Sequence, residues 1–412
     1  MINKDEIKII AAEKQLSPQV IEKDYVLGWV LAGINHNPVT NNHWIFKGGT
    51  CLKKCYFETY RFSEDLDFTY RYINTNYIPT ENELITIAKE ISNWVYDNSG
   101  IEIPETGIGF EIVPNKRGSY TVQGKLSYRG VMQPDLRVTS LPRIKIDLTL
   151  DEPLILQAVT CNVEHLYSDK TVNGIKILAY SCEEIFAEKI RALIQRLRSR
   201  DLYDVIHLYR SKKHNLNAKI LRAVLLKKCS IRNISFPNME MIETHINRKL
   251  LESEWEHQLK HQLPTLPPFN AFLEELPEIF SWIETGNLQP EKPRLDIPNE
   301  ITTKIIPQAI STFISPTFGM FNLEKIRFAA VNRLLINLKY NGHYREIEPY
   351  SFAKSAAGDI LLCAIKAQTN QTRAYRLDRI EDVEILTKIF APRYEIEITS
   401  GGELPIHMFK KA

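Results

Sequence analysis

The chain has almost no net charge. Its 52 Lys and Arg against 50 Asp and Glu leave +2 over 412 residues. A whole-molecule pull on polyanions is therefore excluded, and any nucleic-acid surface must be a local patch of one sign. Long apolar runs are also missing. Nothing approaches the ~20 apolar residues of a membrane span. The first fourteen residues are polar and charged, without the apolar centre of a signal peptide. A cytoplasmic protein with no membrane partner is expected. Cysteine is scarce: six, at 51, 55, 161, 182, 229 and 363, with no Cys-x-x-Cys pair. Free thiols are expected, with Cys51 and Cys55 packing on one helix face. His257 and His261 lie four apart without a His-Glu-x-x-His pattern or third ligand, and read as a solvated helix face. No internal repeat or low-complexity tract is present.

What is present is globular. A hydrophobic content of 44% with 25% charged residues matches ordinary soluble domains. The length suggests two to three domains at ~100–200 residues each. Ser17 is a natural N-cap with Pro18 in the first turn, opening a helix through Val20–Ile34 that Glu22-Lys23-Asp24 interrupts. A short strand at Trp44–Phe46 runs into Gly48-Gly49, and Thr50–Phe57 reads as helical. Further strands are expected at Leu66–Tyr70, Gly109–Val113, Ser119–Tyr128 and Arg143–Leu150, with an amphipathic helix at 80–98. This order gives an α+β catalytic core over residues 1–180. From Ser181 the period is helical. Phe186, Ile190, Leu193, Ile194 and Leu197 mark one helix, Leu202–Tyr209 another, and a helical extension runs to 285. Lys227-Lys228 reads as exposed surface. Three prolines without periodicity make 286–300 a linker. Residues 301–412 hold a helix at Leu323–Leu335. Strands follow at Leu335–Tyr340, Arg345–Tyr350, Ile360–Ala367, Thr372–Leu377 and Asp382–Ile385, a small β-rich domain read as a barrel.

One constellation carries chemistry. Phe46-Lys47-Gly48-Gly49-Thr50 is followed by Arg61-Phe62-Ser63-Glu64-Asp65-Leu66-Asp67. A Gly-Gly turn lets backbone N–H groups approach phosphate oxygens, and a Thr50 hydroxyl can donate to one. Asp-x-Asp on a strand places both carboxylates on one face. Hard oxygen ligands suit Mg²⁺ (or Mn²⁺), with the remaining sites filled by substrate phosphates. Two acids hold such an ion poorly, and the strand Arg143–Leu150 offers a third in Asp147. Asp65, Asp67 and Asp147 are thus the expected metal ligands, and Gly48, Gly49 and Thr50 the expected cradle for an NTP. A second cluster joins Ala187-Glu188-Lys189-Ile190-Arg191-Ala192 to Arg198-Ser199-Arg200-Asp201-Leu202-Tyr203-Asp204. Lys189 points away from its helix's apolar face and suits triphosphate neutralisation, with Arg200 beside it. Asp201 and Asp204 fit either a ligand role or a salt-bridged helix junction in which Asp201 caps and Asp204 pairs with Arg200.

In motif order these residues, with Glu22-Lys23-Asp24-Tyr25 ahead of them, resemble the AbiEii/MenT-like nucleotidyltransferase toxins over roughly residues 10–285. The resemblance implies a polymerase-beta-type core and transfer of NMP from an NTP to the 3′ end of tRNA or another RNA. It implies a toxin–antitoxin or phage-defence setting, with a winged-helix antitoxin as partner. By position it assigns the triphosphate to Gly49 and Thr50, metal to Asp65 and Asp67, and phosphate contact to Lys189. Asp204 completes the pocket or acts as base. Many relatives have Gly-Ser at Gly49-Thr50. The tail resembles a WYL domain, a small SH3-like barrel associated with nucleic-acid or nucleotide ligands, through Arg373–Ile380. At the naming Trp-Tyr-Leu triplet this chain has Ile360-Leu361-Leu362. Arg373 and Arg376 either face such a ligand or pair with Glu381, Asp382 or Glu384. Two other readings fit the same motifs: a nucleic-acid-binding transcriptional regulator with a non-catalytic core, and a protein phosphotransferase.

Overall fold

In the computed structural model the described residues are 1–14, 16–57, 61–71, 77–115, 118–171, 173–212, 215–287, 292–295, 319–355 and 357–398. The chain forms two compact units, Met1–Tyr56 with Phe62–Ile185, and Phe57–Arg61 with Phe186–Ala412. Among the described residues, no helix is long and apolar enough to cross a membrane.

The first unit is built on a mixed seven-stranded sheet: β1 (Trp44–Lys47), β2 (Asp65–Tyr70), β3 (Ile108–Pro114), β4 (Tyr120–Ser127), β5 (Arg143–Thr149), β6 (Val159–Val163) and β7 (Ile175–Ala179), in the order β3-β4-β5-β2-β1-β7-β6. The β2–β5 and β1–β7 pairs are parallel and the others antiparallel. Period-two alternation buries Leu66, Phe68, Val122, Ile144, Ile146 and Leu148 on one face. It leaves the intervening polar residues on the other. Three longer helices belong to this unit: α1 (Lys4–Lys14), α2 (Pro18–His36) and α3 (Glu81–Ser99). The Ser17 side chain accepts from the Val20 N–H at the start of α2. Thr80 and Glu83 cap α3 reciprocally.

Polar side chains of α2 fasten it to three other segments. Glu22 accepts from the Met132 N–H (2.7 Å), Lys23 pairs with Glu64 (2.6 Å), and Asp24 pairs with the buried Lys54 (2.7 Å) and with Lys53 (3.6 Å). Burial opposes the charge on Asp24, but Lys53 and Lys54 outweigh it and hold its carboxyl far below the usual range. The Glu22-Lys23-Asp24-Tyr25 motif therefore positions the Gly-Gly-Thr helix and the strand that carries Asp65.

His165 packs among Tyr25, Trp29 and Tyr167, and neither ring nitrogen has a hydrogen-bond partner. Burial, with Lys54 nearby, pulls its pKa down to about 3. Below the ordinary histidine pKa of ~6.5 the unfolded chain takes up a proton that the folded chain refuses, so stability falls with pH. Between pH 6.5 and 4.5 the unfolding free energy from denaturant titration is expected to drop by about 2–3 kcal/mol more in the parent than in a variant without this histidine. His165→Phe should flatten that slope, and an unchanged slope would contradict the assignment.

The second unit takes up the helices α4 (Cys182–Arg196, from Phe186 on), α5 (Ser199–Lys212), α6 (Ala218–Ile231), α7 (Leu276–Thr285) and α8 (Gly319–Asn332). Phe186, Ile190, Leu193, Ile194 and Leu197 are all buried, as their spacing predicts. Lys228, read as surface, is buried against Glu188 (3.5 Å). It lies on the inner face of α6 beside Leu221, Val224 and Leu225. His257 and His261 are exposed.

A five-stranded antiparallel sheet completes this unit: β8 (Leu334–Tyr340), β9 (His343–Lys354), β10 (Ile360–Lys366), β11 (Thr372–Arg376) and β12 (Ile380–Ile389), in the order β11-β10-β9-β8-β12. Its strands match the expected ones within a few residues. Among the described residues no ladder joins β11 to β12, so both stay edge strands and the sheet is not closed into the expected barrel. Arg376 pairs with Asp359 and Asp378, and Arg373 bonds to Gln371, rather than to Glu381, Asp382 or Glu384. Much of the expected linker, residues 288–291 and 296–300, lies outside the described residues. Leu295 is buried with Leu335, Tyr350 and Phe390 in the core of this sheet. Buried Glu275 accepts from Arg210 and Arg333, fastening the stretch before α7 to the α8–β8 turn.

Candidate active site

β1 ends at Lys47 and gives way to a short helix, Gly48–Cys51, and a π-helical turn, Leu52–Tyr56. Gly48 has φ +78°, and a Cβ built there would lie 2.1 Å from Oδ2 of Asp67. Only glycine meets both demands, a left-handed backbone and a carboxylate resting against Cα. The register fits, since Lys47 of β1 lies opposite Asp67 of β2. Thr50 is fully buried, and its hydroxyl donates to the Asp65 carbonyl oxygen (2.5 Å) and lies 3.0 Å from Ser63 Oγ. A hydroxyl carries one proton. Directed to Asp65, that proton braces the acid-bearing strand. The Gly-Gly-Thr segment therefore shapes both ends of the Asp-x-Asp motif.

The parallel β2–β5 ladder sets Asp67 directly beside Asp147 and Asp65 beside Lys145. Asp65, Asp67 and Asp147 thus share one face and are each half-buried. Burial and then the negative charge of Asp65 push the Asp147 carboxyl above its usual range, only partly offset by Lys145. Clustered carboxylates, one of them raised by its acidic neighbour, match the hard-oxygen preference of a divalent cation. Yet no three acidic, His or Cys side chains among the described residues are gathered closely enough to hold an ion by themselves. Asp67 leans on Gly48 while Asp147 is coupled to Asp65. Such a site suits Mg²⁺, which commonly takes one or two carboxylates and completes its shell with water and substrate phosphate.

Lys189, Arg200, Asp201 and Asp204 belong to the second unit. Asp204 is fully buried, with Arg61 donating to it through Nε (2.6 Å) and a terminal nitrogen (2.8 Å), and Lys189 at 2.7 Å. Burial opposes its charge, but Arg61 and Lys189 hold the carboxyl well below the usual range. A carboxylate so held is a weak proton acceptor, so the geometry favours positioning over a base role. Asp204 is shared by Arg61 and Lys189, and a salt-bridged helix junction is one of the two roles its place in the sequence allowed. Asp201 is clamped by Arg196 (2.6 and 2.7 Å) rather than capping α5. Arg200 reaches the Gln258 carbonyl at 3.4 Å. Lys53 and Lys54 escaped sequence reasoning, and Arg61 stood in the motif without a role, because lysine and arginine rarely announce a buried role without their distant partners.

Gly48→Ala is expected to cut activity by about 10²-fold with the fold retained, because the added methyl displaces the Asp67 carboxylate. Activity within a few-fold of the parent, in a variant with an unchanged circular-dichroism spectrum, would show that this contact does not matter.

The model of the AbiEii family, described as a nucleotidyl transferase toxin of type IV toxin–antitoxin systems, matches residues 29–275. That stretch contains the Gly-Gly-Thr segment, the three strand acids, and Lys189, Arg200 and Asp204. No curated protein sequence matches the chain. Among solved structures, the chain is similar to MenT4, a nucleotidyltransferase toxin of Mycobacterium tuberculosis H37Rv, at 17% identity and a TM-score of 0.46, covering 69% of this chain and 90% of that one. It also matches the proteasome accessory factor B/C of Arthrobacter aurescens at 16% identity and a TM-score of 0.17, covering 51% of this chain and 32% of that one.

Proposed function

As the chain belongs to the AbiEii nucleotidyltransferase toxin family, we propose that it transfers NMP from an NTP to RNA, with the 3′ end of tRNA as acceptor. The observation that carries this reading is the ladder alignment of Asp67 with Asp147, with Asp67 resting on the Gly48 turn. A glycine turn that can admit phosphate thus lies beside three half-buried acids on one face of the sheet.

Asp65 and Asp67, with Asp147, would hold Mg²⁺ (or Mn²⁺). When bound, the ion would offset charge on the phosphates and make the acceptor hydroxyl more acidic. The backbone at Gly48 and Gly49 would receive the triphosphate. Lys189 and Arg200 are assigned to nucleotide contact by resemblance. In the reaction the RNA hydroxyl oxygen bonds to the α-phosphorus. The bond from that phosphorus to the β-phosphate oxygen breaks, pyrophosphate leaves, and the hydroxyl proton passes to solvent. A winged-helix antitoxin is the proposed partner and the cytoplasm the proposed setting. The C-terminal sheet is proposed as a WYL-like module for a nucleic-acid or nucleotide ligand.

The test is purified protein with total tRNA, Mg²⁺ and each NTP labelled in turn at the α- or the γ-phosphate. Label entering tRNA only from the α-position supports the proposal. Label reaching protein from the γ-position would replace it with phosphotransfer. No label in RNA from any NTP, with sequence-specific DNA binding in a gel shift, would replace it with the regulator.

A further inference from the structure

The polar face of the first sheet carries an asymmetry that the acid cluster does not account for. On β5, Arg143 and Lys145 are exposed, alternating with buried Ile144 and Ile146. On β4, Gln123 and Lys125 are exposed, alternating with buried Val122 and Leu126. Register turns this alternation into rows across the strands. One row reads Asp65, Lys145, Lys125 and Gly109, and the next reads Asp67, Asp147, Gln123 and Glu111. Arg143 stands opposite Ser127, one step further along the same face.

The absence of a side chain at Gly109 lets Lys125 lie flat across β3, and a Cβ there would meet Lys125 Cε at 2.8 Å. Among the described residues, neither Lys125 nor Lys145 has an acid within ion-pair distance. The Arg143 guanidinium reaches only the Thr139 carbonyl, at 3.4 Å. In a chain whose net charge is +2, three cations without an acid within ion-pair distance form a short basic row beside the acidic row of Asp67, Asp147 and Glu111. They begin one strand away from Asp65, and neighbouring strands lie ~4.8 Å apart.

We propose that Lys145, Lys125 and Arg143 form the track for the phosphodiester backbone of the acceptor RNA, delivering its terminal hydroxyl to the acids at one end of the row. This rests on the nucleotidyltransferase reading above and names the acceptor surface of that site. A flat, exposed sheet with cations spaced across strands suits a single-stranded segment of a few nucleotides, held by charge without base readout. The same cations suit the triphosphate of the donor. The two sources of phosphate separate kinetically, because a track for acceptor backbone alters the KM for RNA and a donor site alters the KM for NTP.

The experiment uses the full chain with Lys125→Ala, Arg143→Ala and the double variant. A fluorescent single-stranded RNA is bound without NTP over a salt series, and transfer to tRNA is measured in parallel. Neither residue belongs to the acid cluster. The double variant is expected to bind RNA about tenfold more weakly, with the salt slope reduced by about 0.7 per cation removed. Its KM for RNA should rise while its KM for NTP and its kcat at saturating RNA stay within twofold. A raised KM for NTP with RNA binding intact would overturn the track in favour of a donor site, and unchanged RNA binding and KM values would overturn it outright. If the parent protein transfers nothing to RNA but the variants still lose RNA affinity and salt slope, the catalytic reading fails and the track stands. Transfer by the parent with no loss in the variants gives the reverse.

Discussion

Replacing Asp65 or Asp67 with alanine is expected to lower nucleotide transfer by at least about 10³-fold, several kcal/mol of transition-state stabilisation. For Asp65→Ala the folding stability should be unchanged or slightly raised. The second half of that expectation comes from the first unit itself. Asp147 lies above its usual range because it is buried and because Asp65 is charged beside it. Asp65 and Asp147 therefore repel one another in the folded chain, and deleting Asp65 relieves rather than creates a cost. An ordinary salt-bridged carboxylate behaves in the opposite way. Thermal denaturation of Asp65→Ala beside the parent, with α-labelled NTP transfer on both, measures the two halves together. Loss of both stability and activity would show a structural carboxylate. Retained activity would remove Asp65 from the site. Asp65→Asn adds a check, since the Asp147 carboxyl should then titrate closer to its ordinary range by NMR.

The carboxylate strands were legible because two local rules agree there. Asp-x-Asp puts two side chains on one face by period two, and Arg143 to Leu150 alternates so plainly that Asp147 declares its side. Which strands are neighbours was not legible. The β2–β5 ladder that sets Asp67 against Asp147 joins residues 80 positions apart, and nothing in either segment encodes that pairing. β6 and β7 were missed for a related reason. At five residues each they give little periodic signal, and β7 earns its place by pairing in parallel with β1 at Phe46 and Ala179. Thr50 shows a different limit. The sequence shows that it carries a hydroxyl beside a Gly-Gly turn, and only the three-dimensional path brings the Asp65 carbonyl within 2.5 Å of it. In the C-terminal sheet, alternation located all five strands, while closure depends on edge pairing, which alternation does not describe.

Asp204→Ala is expected to destabilise the second unit by about 3–5 kcal/mol, because it leaves Arg61 and Lys189 buried beside each other without their shared carboxylate. Both cations touch the same fully buried group, Arg61 in a two-pronged contact at 2.6 and 2.8 Å and Lys189 at 2.7 Å. Asp204→Asn keeps the shape and one acceptor oxygen, so its loss should be smaller but still measurable in urea. The sign with pH follows from the lowered carboxyl pKa. The stabilisation is fully present above the ordinary aspartate value near ~4 and is lost as pH falls toward the depressed folded value. The asparagine variant should therefore lose stability relative to the parent at pH 7, and by a smaller margin as pH falls below the ordinary aspartate value. A parent and variant equally stable at pH 7 would show that the carboxylate does not hold the two cations. The activity of Asp204→Asn separates the remaining roles. If Asp204 only fixes Arg61 and Lys189 in place, residual kcat should follow the folded fraction and the pH–rate profile should keep its shape. Loss of its acidic limb in fully folded protein would instead make Asp204 the proton acceptor, against the geometry found here.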